Sequence, residues 1–110
     1  MAKLFSYGTL QFKQVQLDTF GRLLKGKKDI LREYRVNKIE ITDPEVIKSS
    51  GTNIHPILEY TGNNQDFVEG TIYTLSDKEI LKADTYEVDD YERKTLKFDS
   101  GILAFVYLKR

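Results

Sequence analysis

Polarity alternates along Lys3-Leu4-Phe5-Ser6-Tyr7 as it does in a short strand, and Gly8 closes the run. From about Lys13 to Leu24, Val15, Leu17, Phe20, Leu23 and Leu24 recur at helical spacing. Gly21 weakens that helix by up to ~1 kcal/mol relative to alanine. Tyr34 to Ile41 alternates cleanly and reads as a half-buried strand, stopped by Thr42-Asp43-Pro44. Residues 49–53 have loop composition, and Ile57 to Tyr60 is a short strand running into the turn signal Gly62-Asn63-Asn64. Phe67 to Tyr73 is a further strand, in which Gly70 predicts a bulge or a close approach to the backbone. Ser76-Asp77-Lys78-Glu79 has the form of a capping box, and Ile80, Leu81, Ala83 and Tyr86 continue it as a short helix. Arg93 to Phe98 and Ile102 to Leu108 bracket Asp99-Ser100-Gly101 as a β-hairpin. The expected class is α+β, with two helices and about six strands in a small barrel-like sheet.

At 110 residues the chain is expected to form one domain. Folding would bury roughly 65% of its unfolded surface, enough for a core without staples. Seven Tyr and six Phe, spread along the whole length, supply that core. Seventeen basic and seventeen acidic residues cancel, which argues against a nucleic-acid partner. Lys25, Lys27 and Lys28 around Gly26 read as a solvated helix end or loop. Without cysteine there is no disulfide framework or thiolate metal site, and one histidine excludes a metal held by several imidazoles. No apolar run approaches the ~20 residues that span a bilayer. No signal-peptide core follows Met1-Ala2-Lys3, so a cytoplasmic protein off the membrane is expected, as a monomer or a homodimer.

Two segments hold candidate chemistry. At Ser6-Tyr7-Gly8-Thr9-Leu10 a strand gives way to a helix. Backbone N–H groups left unpaired there suit a carboxylate or a developing oxyanion, and Gly8 lets a ligand approach the main chain. In Asp84-Thr85-Tyr86-Glu87-Val88-Asp89-Asp90-Tyr91-Glu92, five carboxylates crowd the end of the second helix. Like charges and the negative helix end disfavour ionisation, so an inward-facing member would carry a raised pKa, as a proton carrier near neutral pH requires. Glu87 follows Tyr86, the last apolar helical position, and is the chosen member. Spacing alone leaves open a solvated acidic helix end. A calcium loop is opposed by the absence of the EF-hand pattern.

Together these segments resemble the γ-glutamylcyclotransferase superfamily, in particular its small AIG2-like branch. The matching residues are Tyr7-Gly8-Thr9-Leu10, Asp84-Thr85-Tyr86-Glu87, Tyr91-Glu92-Arg93 and Phe105-Val106-Tyr107, and the similarity runs from about Leu4 to Leu108. Val88 stands where the family often has glycine, and the loop continues as Gln11-Phe12-Lys13 rather than as a short polar turn. The resemblance implies a small β-barrel with flanking helices and release of 5-oxoproline and a free amine from a γ-glutamyl amine or peptide, without cofactor or metal. It makes Glu87 the catalytic residue and Tyr7, Gly8, Thr9 and Leu10 the substrate-binding loop. Three further residues are candidates for the pocket. Arg93 could bind a substrate carboxylate or pair with Asp89 or Asp90, Tyr107 could be core or lining, and His55 sits in a loop before Pro56. The alternative reading is a non-catalytic module that binds a small acidic metabolite in the same cavity.

Overall fold

Side chains alternate across a strand, so neighbouring residues of one strand serve two different cores. The computed structural model describes residues 2–40, 44, 54–86 and 91–109. Within them the order is β1 (Ala2–Ser6), a 3-10 turn (Thr9–Gln11), α1 (Lys13–Phe20), β2 (Gly26–Arg32), β3 (Tyr34–Glu40), β4 (Ile54–Tyr60), β5 (Phe67–Leu75), α2 (Asp77–Tyr86), β6 (Tyr91–Lys97) and β7 (Leu103–Lys109). Five strands form a mixed sheet in the order β2-β5-β1-β7-β6, and β3 pairs with β4 as a separate hairpin. Among the described strands only β1 and β7 run parallel, with Leu4 opposite Phe105. Leu4, Tyr73, Leu75 and Tyr107 turn to the face covered by Val15 and Phe20 of α1 and by Ile80 and Ala83 of α2. Phe5, Val68, Ile72 and Val106 turn to the other face, against Leu58 of β4 and Phe98. There the rings of Phe5 and Phe98 lie 4.6 Å apart.

This is the expected α+β architecture, but among the described residues the sheet is open. β2 and β6 are its edge strands, and no ladder joins them. Instead the β6–β7 turn curls over to β2. The Asp99 amide donates to the Ile30 carbonyl at 3.0 Å, and Arg32 pairs with Asp99 at 3.0 Å. The Ser100 hydroxyl and amide both donate to the Asp29 carboxylate. Burial pushes the Asp29 carboxyl upward, yet these donors and the Ile30 amide outweigh it and hold the group below its ordinary value. Contact through a hairpin tip curves the sheet without making it a barrel.

β2 is the strand not expected from the sequence. Lys27 and Lys28 belong to it and not to a helix end or loop, because an edge strand leaves most of its side chains in water and blurs the alternation. Helix α1 stops at Phe20, four residues short of the expected Leu24. Gly21, with φ 73°, is its left-handed cap, and the Gly21 amide donates to the Leu17 carbonyl at 2.9 Å. His55 lies in β4, opposite Ile39, and not in a loop. The stop at Thr42-Asp43 and the loop at 49–53 lie outside the described residues.

The capping box forms as expected. The Ser76 amide donates to Glu79 at 2.9 Å, and the Glu79 amide donates to the Ser76 hydroxyl at 3.2 Å. Ser76→Ala should cost about 1 kcal/mol and lower Tm by roughly 4–8 °C in a thermal melt. Arg22 makes a bidentate contact with the same carboxylate at 2.7 and 2.8 Å, tying the end of α1 to the start of α2. The Arg22 hydrogen bond, opposed by partial burial and aided by the cap, lowers the Glu79 pKa from 4.5 to about 2. A folded-state pKa below the unfolded one stabilises above the unfolded value and is lost as pH falls through the folded value. The contribution is therefore complete above pH 4.5 and gone below about 2. Arg22→Gln should flatten the acid limb of a Tm-against-pH series within that window.

Candidate active site

At the end of β1, Ser6 is paired with Thr71 of β5, and the chain leaves the sheet through Tyr7 and Gly8. A 3-10 turn follows, in which the Gly8 carbonyl accepts from the Gln11 amide at 3.2 Å and the Thr9 carbonyl from the Phe12 amide at 2.9 Å. Thr9 and Leu10 are buried, whereas Gly8 is half-buried and has no Cβ to cover its main chain. Two glutamines brace this loop. The buried Gln16 donates to the Leu10 carbonyl at 2.8 Å and accepts from the Leu24 amide at 2.9 Å. Gln11 donates to the Gly8 carbonyl at 3.4 Å and accepts from the Thr71 hydroxyl at 3.1 Å. Neither role has a signal in the sequence, since a buried amide and an exposed one look alike until the helix face is known.

Tyr7 donates its hydroxyl to the main-chain carbonyl of Tyr107 at 2.6 Å. The side chain of Tyr107 is buried in the helix-side core, and its hydroxyl donates to Asp84 of α2 at 2.8 Å. Arg93, opposite Tyr107 across the β6–β7 ladder, approaches the other oxygen of Asp84 at 3.3 Å. Its guanidinium also lies 4.6 Å from the centre of the Phe105 ring. Arg93 is therefore paired with Asp84, while the expected partners Asp89 and Asp90 lie outside the described residues. Its Nη1 is buried and has no acceptor among the described residues. Tyr107 is core and hydrogen-bonded at once.

The structure thus brings Tyr7, Gly8, Thr9 and Leu10 together with Tyr107, Arg93 and the last turn of α2. Glu87, the residue after α2 ends at Tyr86, lies outside the described residues, as does the side chain of His55. Beside the loop is a cavity of about 670 Å³, lined by Gln11, Lys28, Asp29, Ile30, Glu69, Gly70 and Asp99. Ligand pockets of small molecules span roughly 300–1,000 Å³. Asp29, Glu69 and Asp99 outnumber Lys28 in its lining, and Arg32 pairs with Asp99. Among the described residues no cluster of His, Asp or Glu is arranged to hold a metal, and no helix is long and apolar enough to cross a membrane.

A mixed sheet with two helices on one face, and a loop of Tyr-Gly-Thr-Leu leaving its parallel central strand, is a γ-glutamylcyclotransferase-like fold. The chain belongs to the gamma-glutamyl cyclotransferase, AIG2-like family, whose model matches residues 4–110. Among solved structures, an Arabidopsis thaliana protein superposes with a TM-score of 0.74 at 21% identity, over 98% of this chain and 61% of its own. A solved gamma-glutamyl cyclotransferase gives 0.72 at 12% identity, over 99% of this chain and 66% of its own. An uncharacterised Pyrococcus horikoshii protein gives 0.65 at 12% identity, over 99% and 78%. At such identities the likeness is one of fold. No curated protein matches this chain.

Proposed function

We propose that this protein is a γ-glutamylcyclotransferase that converts a γ-glutamyl amine or peptide into 5-oxoproline and the free amine. The observation that carries the reading is the double anchorage at Tyr107. Its carbonyl holds Tyr7 of the loop, and its hydroxyl holds Asp84, three residues before Glu87. The two motifs that mark the family are thereby tied to one residue of β7.

In the reaction the α-amine of the γ-glutamyl group attacks its own γ-carbonyl. A carbon–nitrogen bond closes the five-membered ring, and the original amide bond breaks. One molecule supplies both reactants, so holding it in the ring-closing geometry can remove on the order of 7–11 kcal/mol from the barrier. Main-chain N–H groups at Gly8 to Leu10 stabilise the tetrahedral oxyanion, at about 2.7–4 kcal/mol per aligned donor. Glu87 accepts one proton from the α-ammonium and passes it to the departing nitrogen. The second proton, which the ring nitrogen sheds on becoming an amide, follows it, and the amine leaves as an ammonium ion, so charge and protons balance. Neither metal nor cofactor enters this scheme. The cavity beside Gln11 accommodates the amine portion, and its excess of carboxylates favours amines that carry a further positive charge.

The test is release of 5-oxoproline, read by mass spectrometry, from a panel of γ-glutamyl amino acids, peptides and cationic amines. Turnover of at least one member is expected, with cationic amines preferred. A folded protein that turns over none would leave a non-catalytic binding role on the same fold.

A further inference from the structure

The bond from Tyr7 to Tyr107 uses the main chain of β7, whereas the bond from Tyr107 to Asp84 uses its side chain. The two can therefore be cut separately. Asp84 stands in the last turn of α2, where the negative helix end works against a carboxylate. It is held there by one hydroxyl and one guanidinium, both reaching in from the β6–β7 ladder. Arg93 is fixed in turn by the face of Phe105, which lies opposite Leu4 of β1. The connection runs from the loop at the end of β1, across β7, to the end of α2, and closes through β6. Packing alone would have been served by Phe at 107 and Asn at 84, so the polar groups specify a relative position that apolar contacts leave loose.

We propose that Asp84, Tyr107 and Arg93 are positioning residues that hold the end of α2 in register with the Tyr7-Gly8-Thr9-Leu10 loop. As a statement about catalysis this rests on the cyclotransferase reading. As a statement about coupling between loop and helix end it does not. Asp84, Tyr107 and Arg93 need touch no reacting atom. They set the distance between the loop that holds the γ-glutamyl group and the segment that begins with Glu87, and misplacement of about 1 Å can cost ~10²-fold in rate.

Tyr107→Phe removes the hydroxyl and leaves the carbonyl that holds Tyr7, and Asp84→Asn keeps an acceptor for Tyr107 while discarding the charge facing Arg93. Each variant should lose roughly tenfold or more in kcat per folded molecule, with KM changed far less. The double variant should lose less than the product of the two single losses, because both cut one network. A second readout needs no activity: in amide NMR spectra, Tyr107→Phe and Asp84→Asn should shift the Gly8, Thr9 and Leu10 signals and weaken their protection from exchange. Wild-type kcat in both variants, with only a lower Tm, would assign these residues to packing alone and overturn the catalytic part. Unmoved loop signals would overturn the coupling itself. Should the wild type turn over no substrate, the cyclotransferase reading has failed and the NMR result alone decides the coupling.

Discussion

Glu87→Gln should keep the fold and lose turnover by about 10²–10⁴-fold, the usual contribution of a positioned general acid–base. The amide has nearly the size of the carboxyl group and still hydrogen-bonds, but it cannot take up a proton from the α-ammonium. Binding of the γ-glutamyl group through the loop main chain should survive, so KM should change little while kcat collapses. Asp84 has its charge offset by Arg93, and the sequence places Asp89, Asp90 and Glu92 within five residues of Glu87. Like charges of this kind raise a carboxyl pKa. The pH profile of kcat/KM should accordingly lose its acid limb in the variant, with Tm unchanged in a parallel melt. Near-wild-type turnover by Glu87→Gln would transfer proton transfer to another carboxylate.

The second large effect concerns stability. Gly70→Ala would place a methyl carbon 2.4 Å from the Ser6 carbonyl oxygen and 2.6 Å from the Phe5 ring. Two tendencies compete. Alanine in a strand is better than glycine by roughly 0.5–1 kcal/mol through lower chain entropy. Overpacking against a buried side chain costs about 1–3 kcal/mol and occasionally more. Here one of the colliding groups is backbone of β1, paired in register with Thr71, and Phe5 is 1% exposed, so neither can swing aside. The clash wins. Net destabilisation of up to ~3 kcal/mol is expected, with a fall in Tm of roughly 4–8 °C per kcal/mol. Since Ser6 immediately precedes the loop, the same variant should also lose activity at temperatures where it stays folded. A Tm at or above wild type would mean that β1 and β5 separate more easily than their register indicates.

Much of this was legible in the sequence, and the exceptions have physical causes. The central strands are legible as apolar runs, since Leu4 with Phe5 and Val106 with Tyr107 turn to the two cores on either side of the sheet. The capping box of Ser76 and Glu79 was legible because its two hydrogen bonds are local. Gly70 predicts a bulge or a close approach, and it is the latter: the β2–β5 register passes through it unbroken, with Asp29 opposite. β2 leaves no pattern because only Asp29 and Leu31 of it are buried, and a buried aspartate does not look like a core residue. The loop motif could be read, but its supports could not. Gln11 reaches Thr71 and Asp84 reaches Tyr107 across separations that no spacing rule spans, and Gln16 bridges Leu10 and Leu24 only once the chain has folded back on itself. The contact of Asp29 with Ser100 across the sheet is equally invisible in the sequence, and among the described residues the sheet stays open where a barrel is expected.

Ring closure and hydrolysis of a γ-glutamyl amide differ in one atom, and that difference tests the proposal most directly. Wild-type protein is incubated in ¹⁸O-water with the best γ-glutamyl amine, and the products are weighed by mass spectrometry. Intramolecular attack requires unlabelled 5-oxoproline, equimolar with the released amine, and almost none of either with Glu87→Gln. Glutamate carrying one ¹⁸O, from direct attack of water on the γ-carbonyl, would contradict it.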